Sequence, residues 1–247
     1  RCAALAADHG YSEINLNVGC PSDRVQRGRF GACLMAEPDV VAAGVAAMVA
    51  ATSLPVTVKH RIGIDEQDSY ESMAAFVAAV VDAGSARCTV HARKAWLKGL
   101  SPKQNREIPP LRYDDVYRLK ADFPDLVVEL NGGVVTLDDA AAHLQHVDAV
   151  MMGRAALDNP WVFADADRRF YGQSNPVHTR VEAVRAHPPY LAEWAERGVK
   201  LAFLTQPMLN LFAGERGARR WRQTLSETLR RPGASVSVIE DALTCFA

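Results

Sequence analysis

Short apolar segments alternate with longer amphipathic ones along the first 152 residues of the chain. Segments rich in branched aliphatic side chains predict strands near residues 14–18, 55–59, 87–91, 126–130 and 148–152. Apolar positions at helical spacing predict helices near 38–52, 69–83, 113–122 and 137–145. Strand and helix in regular alternation indicate an α/β fold built on a parallel sheet.

A polar or glycine residue stands at the end of each predicted strand. Such residues at successive strand ends are typical of a (β/α)8 TIM barrel, whose active site lies at the carboxyl face of its strands. Five strands are visible and a closed barrel needs eight, so we expect about three strands to precede residue 1. An open doubly wound sheet is the alternative. The strand-end residues are Cys20, Lys59, His91, Asn131 and Gly153.

The pattern changes after residue 171. Residues 172–178 are rich in Gly, Ser, Asn and Pro, and only helical patterns follow them. We therefore predict a partial barrel domain over 1–171 and a small all-helical domain over 179–247. Phe212, Trp221 and Leu225 are expected to form the apolar stripe of the second domain, and Pro207 to interrupt or cap one of its helices.

Charge and cysteine content narrow the function classes. The chain carries 28 Lys and Arg against 29 Asp and Glu, so attraction to a polyanion must come from local clusters. Five scattered cysteines without a CxxC pair argue against a disulfide framework and a thiolate metal site. The longest apolar run, 40–51, is shorter than the ~20 residues of a membrane helix. We expect a cytoplasmic monomer with no metal and no membrane contact, whose native N-terminus is missing because the chain starts inside a helical pattern.

The segment from Ile14 to Met35, INLNVGCPSDRVQRGRFGACLM, is the most informative. An alternating strand runs into a Gly-Cys-Pro turn, which places Cys20 just past the strand end. Asn15 and Asn17 share one face of that strand, so if both faces are buried their amides need partners, and a bound ligand is one candidate. A small buried thiol is the alternative for Cys20.

The last two strand ends suggest an anion site. Asn131, Gly132 and Gly133 follow one strand, and Gly153 and Arg154 follow the next. Small residues let backbone amides approach an anion and arginine adds a forked charge, so this pair of turns resembles a phosphate site. Barrels frequently bind phosphate at the loops after strands seven and eight. The alternative is that the glycines only make a tight turn.

Two further strand ends carry basic side chains. Lys59 ends an apolar strand, so its ammonium must reach the barrel mouth or pair with an anion there. His91 is similarly placed and is counted only with this set. His143 and His146 form an HxxH pattern without a nearby carboxylate ligand, so a metal site is not expected.

The connection from residue 92 to 112 is long and basic. Together with three arginines after Cys20, it puts positive charge at the same mouth and suggests a polyanionic substrate. An ordinary solvated loop is the alternative. The basic residues are Arg93, Lys94, Lys98, Lys103, Arg106 and Arg112 in this connection, and Arg24, Arg27 and Arg29 after Cys20.

Six motifs in this order resemble the bacterial tRNA-dihydrouridine synthases, most closely the subfamily that acts on uridines 20 and 20a of the D-loop. They are NLNVGCPSDRVQ, FGACLM, VTVKHRIGID, HARKAWLKGLSPKQNREIPPL, ELNGGV and MGRAALDNPW. The resemblance is dense from residue 14 to 161 and loose in the helical tail.

The resemblance implies an FMN-dependent TIM barrel followed by a helical domain that helps to hold tRNA, with NADPH reducing the flavin. It implies that Cys20 is the proton donor and that Asn17 contacts the target uracil. It also implies tRNA contacts from Lys103, Arg106, Arg219 and Arg222. The residues it implies for FMN are Lys59, His91, Asn131, Gly133, Gly153 and Arg154, and Gly132 joins them through the turn described above.

This chemistry agrees with the residue types. Reduced flavin gives hydride to carbon 6 of the uracil, and carbon 5 then needs a proton, which a thiol protonated at neutral pH can donate. The target base must leave its stack, which explains a positive rim. Two other functions stay open: an FMN-dependent reductase of a free pyrimidine or another small molecule, and a noncatalytic RNA-binding remnant.

Overall fold

The computed structural model describes residues 1–229 and 234–246 of the 247-residue chain. The chain divides into two compact units. The first comprises Arg1–Val134 and Asp138–Met152, and the second comprises Val135–Leu137 and the residues from Gly153 onward. Residues 230–233 and 247, which the predicted helical domain includes, lie outside the described residues.

The first unit is built from the predicted alternation of strands and helices. Its strands are β1 (Ile14–Val18), β2 (Val56–Arg61), β3 (Arg87–His91), β4 (Val127–Asn131) and β5 (Ala149–Met151). Its helices are α1 (Cys2–Asp8), α2 (Asp23–Arg27), α3 (Pro38–Val49), α4 (Tyr70–Asp82), α5 (Tyr113–Asp122) and α6 (Leu137–His143), although Leu137 itself is grouped with the second unit. Short 3-10 turns occupy Gly31–Ala36 and Gln104–Arg106.

The five strands form one parallel sheet in the order β1-β2-β3-β4-β5. Each strand therefore pairs with the next one in the sequence. A doubly wound sheet reverses its strand order at a switch point, whereas consecutive strands of a barrel pair in chain order. The described strands have no such reversal, so the open-sheet alternative is wrong and the predicted parallel α/β architecture is confirmed.

The strand register gives the sheet one apolar and one polar face. The apolar face is covered by helices such as α4, whose Phe76 ring lies 5.2 Å from that of His60. Ser69 caps the start of α4 by accepting from the amide of Ser72 at 3.1 Å. The apolar face carries Ile14, Leu16, Val18, Val56, Val58, Cys88, Val90, Val128 and Leu130, with His60 among them; the polar face carries Asn15, Asn17, Thr57, Lys59, Arg61, Arg87, Thr89, His91, Glu129 and Asn131.

Strand β2 extends two residues beyond its predicted end. Lys59 was expected to close this strand, but the ladder continues through His60 to Arg61, which pairs in register with His91. The alternation of Thr57, Lys59 and Arg61 on one face continues with it. The strand-end position therefore belongs to Arg61, and Lys59 lies within the sheet.

The second unit is helical, as predicted for the tail. Its helices are α7 (Arg154–Asp158), α8 (Ala166–Tyr171), α9 (Arg180–Arg185), α10 (Pro188–Glu196), α11 (Leu201–Leu204), α12 (Ala218–Thr228) and α13 (Val238–Leu243). Short 3-10 turns occupy Pro160–Phe163, Gln206–Met208 and Thr244–Phe246. Pro207 is the second residue of a separate 3-10 turn after α11, where its fixed φ and missing amide proton are tolerated.

Trp221 is the centre of the core of the second unit. It is fully buried, its indole nitrogen donates to the Met208 carbonyl at 3.0 Å, and the Phe212 ring lies 5.0 Å away. Leu225 is buried one helical turn further along α12. The predicted apolar stripe of this unit is therefore confirmed.

The boundary between the two units differs from the predicted domain boundary. The prediction assigned residues 1–171 to the first domain, whereas α7, the Pro160–Phe163 turn and α8 group with the helical unit. Trp161 packs against the helical core, which accounts for this grouping. None of the helices in the described parts of the chain combines the length and hydropathy needed to cross a bilayer.

Candidate active site

The Cys20 turn is built on the end of β1. The side-chain oxygen of Asn17 accepts from the amides of Gly19 at 3.0 Å and Cys20 at 3.2 Å, so Asn17 fixes the turn that carries the thiol. The Cys20 sulfur is half-buried and lies 3.5 Å from the Ser22 hydroxyl oxygen. Gly31 has a φ of 76°, and a Cβ there would lie 2.6 Å from the Cys20 carbonyl oxygen. The FGACLM motif thus packs directly against the backbone of the Cys20 turn.

The condition that both faces of β1 are buried is not met within the part of the chain that the structure describes. Asn15 and Asn17 are exposed along this edge strand. Asn15 donates to the Thr57 hydroxyl at 2.9 Å, and Asn17 is engaged by the turn amides. One polar group of each side chain thus has a partner within the protein, and the contact of Asn17 with the target uracil stays a prediction.

Lys59 and Asn131 meet on the polar face of the sheet. The Lys59 ammonium donates to the Asn131 side-chain oxygen at 2.9 Å, and the Asn131 amide donates to the Met151 carbonyl at 2.8 Å. Burial lowers the pKa of Lys59 to about 8; the neighbouring Arg61 adds to this shift and Glu129 opposes it. The ammonium thus lies against a neutral amide partner in a partly desolvated position.

His91, Gly132 and Gly133 lie at the ends of the neighbouring strands β3 and β4. His91 is buried and pairs in register with Asn131. Gly132 and Gly133 have φ values of 111° and 76°, which side-chain-bearing residues rarely adopt. A Cβ on Gly133 would also lie 2.6 Å from the Tyr113 hydroxyl, which donates to the Gly132 carbonyl at 2.9 Å. Both glycines are therefore required by the turn itself, whatever the turn binds.

Arg61 is the site residue that the sequence analysis missed. It is 4% exposed, and its guanidinium donates to the carbonyls of Gly19 at 2.9 Å, Lys94 at 3.0 Å and Asn105 at 2.8 Å. Burial lowers its pKa to about 10, with Arg106 adding to the shift. The continued alternation after Lys59 was the available signal for it.

The basic connection from residue 92 to 112 is more ordered and less positive than its sequence indicates. Lys94 contacts Asp68 at 3.2 Å, and Arg112 contacts Asp68 at 3.1 Å and also pairs with Asp115. Arg93 donates to the Pro109 carbonyl. Three of the six cations thus serve the fold, while Lys98 and Lys103 are exposed and Arg106 is half-buried.

The remaining predicted residues belong to the second unit. Gly153 caps α7, and Arg154 is the first residue of that helix and is exposed. Arg219 is exposed on α12 and Arg222 is partly exposed on the same helix. The structure therefore brings Cys20, Asn17, Lys59, His91, Asn131, Gly132 and Gly133 together at one end of the parallel sheet, and Gly153, Arg154, Arg219 and Arg222 within the helical unit.

The described residues contain no group of three or more His, Cys, Asp or Glu that could hold a metal ion. His143, from the HxxH pattern, is engaged within the fold, because its Nδ1 lies 2.6 Å from the Tyr117 hydroxyl. His146 stacks on the same tyrosine ring at 4.2 Å. The five cysteines are all free.

Comparison with known proteins gives a consistent family. The family model described as Dihydrouridine synthase (Dus) matches residues 1–244. A tRNA-dihydrouridine(20/20a) synthase of Synechocystis sp. is 55% identical over 242 residues, covering 98% of this chain and 72% of the relative. The Vibrio cholerae enzyme of the same name is 54% identical over 98% of this chain and 74% of the relative. That of Escherichia coli K12 is 53% identical over 100% of this chain and 72% of the relative.

The family match covers both units, and the Cys20 turn, the Lys59–Asn131 pair and the glycine turn all lie within it. The strands of the first unit pair in the order in which they occur in the sequence, as in a barrel. From these findings together, we conclude that this chain belongs to the dihydrouridine synthase family, whose fold is the TIM barrel.

Proposed function

We propose that this chain reduces uridine to 5,6-dihydrouridine at positions 20 and 20a in the D-loop of tRNA. Enzymes of the dihydrouridine synthase family carry out this reduction in tRNA with FMN as cofactor and NADPH as reductant. The observation that carries the positions is the identity of 53–55% with relatives whose names specify 20 and 20a. That identity extends over nearly the whole chain.

The donor set on the polar face fits the edge of a flavin. An ammonium, an amide and an imidazole from Lys59, Asn131 and His91 face the same side of three neighbouring strands, as the register requires. Flavin oxygens and nitrogens accept such donors, and a partly desolvated ammonium favours an electron-rich partner. We propose these residues as FMN contacts, with Gly132, Gly133, Gly153 and Arg154 serving its phosphate. When bound, FMN supplies the hydride for carbon 6 of the uracil.

Cys20 is proposed as the proton donor to carbon 5. The Asn17 side chain accepts hydrogen bonds from the two amides of the turn, so the backbone that carries the thiol is held in place at the strand end. The sulfur is half-buried instead of enclosed in the core, which supports access to a substrate. The proton passes from the Cys20 thiol to carbon 5, and the resulting thiolate is reprotonated from solvent before the next turnover.

The proposed tRNA contacts are surface cations. Lys103 and Arg106 flank Asn105 in the 3-10 turn region of the basic connection, and Lys103 is exposed. Arg219 and Arg222 lie on α12 of the helical unit. Exposed cations such as Lys103 and Arg219 support a substrate with a phosphate backbone.

The test combines flavin binding with tRNA reduction. The purified enzyme should bind FMN, show a flavin absorption spectrum and convert a target uridine of unmodified tRNA into a product heavier by two hydrogens when NADPH is supplied. Cys20→Ala should keep the flavin spectrum and lose the product, because the hydride added at carbon 6 must be accompanied by a proton at carbon 5. Cys33→Ala is the matched control, since Cys33 lies on the same segment and its thiol donates to the Phe30 carbonyl.

Two outcomes would replace the proposal. A flavin-bound enzyme that reduces free pyrimidines but leaves tRNA unchanged is a small-molecule reductase. A colourless protein that binds tRNA without FMN is a noncatalytic RNA-binding protein. Monomeric state and cytoplasmic location remain predictions, and light scattering of the purified protein tests the first of them.

A further inference from the structure

Three loops at the carboxyl end of the sheet form one packed layer. These are the segment after β1 that carries Cys20, the segment after β2, and the basic connection after β3. Ala32, Ile64 and Ala95, one from each segment, are buried together, and Met35 and Leu97 pack against them. The layer therefore has a small apolar core of its own, separate from the strands.

Polar contacts join the same three segments. Arg61 binds the carbonyl before Cys20 and two carbonyls of the basic connection, those of Lys94 and Asn105. Asn105 is fully buried and closes the basic connection on itself through both the amide and the carbonyl of Trp96. Displacing one segment of this layer must therefore displace or break contacts with the others.

The side chain of Gln26 links the Cys20 segment directly to the basic connection. It lies on α2, and its amide nitrogen donates to the Pro21 carbonyl at 2.8 Å and to the Leu97 carbonyl at 2.7 Å. A primary amide has two N–H groups, and here each is directed at one carbonyl. One side chain thus holds the residue after Cys20 and a residue of the basic connection at a fixed separation.

We propose that Gln26 is a positioning residue: it couples the position of the Cys20 thiol to the position of the basic connection. This inference rests on the proposed function. The basic connection carries Lys103 and Arg106, so when tRNA contacts fix that connection, Gln26 and Arg61 fix the turn before and after Cys20. Proton transfer requires the thiol within hydrogen-bond reach of carbon 5, and an error of about 1 Å costs on the order of 100-fold in rate.

The experiment measures single-turnover reduction by pre-reduced holoenzyme at saturating tRNA. Gln26→Leu keeps the approximate volume and removes both donors, so the rate should fall by about tenfold or more, while the tRNA dissociation constant and flavin content stay within about twofold. Gln26→Glu keeps the shape and places a carboxylate against two carbonyl oxygens. Protonation of this carboxylate restores one O–H donor. The reduction rate of Gln26→Glu relative to wild type should therefore rise as the pH falls from about 8 to about 5.5, whereas the relative rate of Gln26→Leu should not change with pH.

Glu37→Gln is the matched control. Glu37 lies on the same segment, its side chain pairs with Arg29 at 2.9 Å at the surface, and it is not one of the described residues that form the apolar core of this layer, so the rate should not change. If Gln26→Leu keeps the wild-type rate, or loses tRNA affinity and flavin in parallel with rate, the positioning role is overturned. If the wild-type enzyme itself makes no dihydrouridine, the proposed function fails instead, and the two failures are thereby told apart.

Discussion

His60 makes the stability of the first unit sensitive to acid. The ring is fully buried on the apolar face of the sheet, with Nδ1 2.8 Å from the Arg61 carbonyl oxygen and Phe76 beside it. The carbonyl requires the proton on Nδ1, and Nε2 has no hydrogen-bond partner in the part of the chain that the structure describes. Protonation would therefore place a buried charge at an unsatisfied position.

The size of the effect follows from the pKa. Burial lowers the pKa of His60 from 6.5 to about 4; the Arg61 carbonyl opposes this shift and Lys59 adds to it. Between these values the unfolded chain binds a proton that the folded chain does not, so stability falls as the pH falls. One pKa unit corresponds to about 1.4 kcal/mol, which gives a loss of about 2 kcal/mol at about pH 5 and about 3 kcal/mol near pH 4. Typical unfolding free energies are only about 5–15 kcal/mol.

Urea denaturation followed by circular dichroism between about pH 8 and pH 5 measures this loss. His60→Leu removes the titration while keeping an apolar side chain against Phe76, so its unfolding free energy should depend less on pH than that of wild type, by about 2 kcal/mol over this range. Carboxylates titrate in both proteins and cancel in the comparison. His9→Gln, which changes an exposed histidine of the same unit, should keep the wild-type dependence. Parallel pH curves for wild type and His60→Leu would refute the reasoning.

Two other changes test the polar face and the RNA contacts. Because the pKa of Lys59 is lowered to about 8, the proportion of ammonium falls as the pH rises through that value, and FMN affinity should fall with it. Lys59→Met should weaken FMN binding by about 10-fold or more and remove this pH dependence in a flavin fluorescence titration; an unchanged pH profile would contradict the contact. Arg106→Ala should weaken tRNA binding and reduce the slope of log affinity against log salt by about 1, whereas Arg118→Gln, on an exposed face of α5, should leave it unchanged. Equal slopes for wild type and Arg106→Ala would remove Arg106 from the interface.

The strands were predictable because branched aliphatic side chains are concentrated in short segments. Val56 and Val58 mark β2 in this way, and in β1 the alternation of apolar and polar residues is also visible in the sequence alone. The end of β2 was misplaced because a charged Lys59 in an apolar run resembles a strand terminus. In the structure a polar face tolerates lysine within the strand, and the alternation simply continues to Arg61.

The contacts of the site were less predictable than its residue types. Arg61 binds carbonyls that are 33 to 44 residues distant in sequence, and backbone carbonyls leave no mark in a sequence pattern. The positive charge that the basic connection leaves for a substrate was overestimated for a related reason. Asp68 lies on another segment, and only the fold brings it to Lys94 and Arg112.

The two-faced sheet also determines how the chain avoids misalignment while it folds. Side chains in a strand alternate with a period of two, so sliding β2 by a single residue against its neighbours would turn Lys59 and Arg61 toward the hydrocarbon beneath α4. Such a slipped pairing would bury two unpaired cations and is therefore strongly disfavoured. The polar side chains of this face thus also fix the register of the strands during folding, and replacing them with apolar residues would make a slipped pairing less unfavourable.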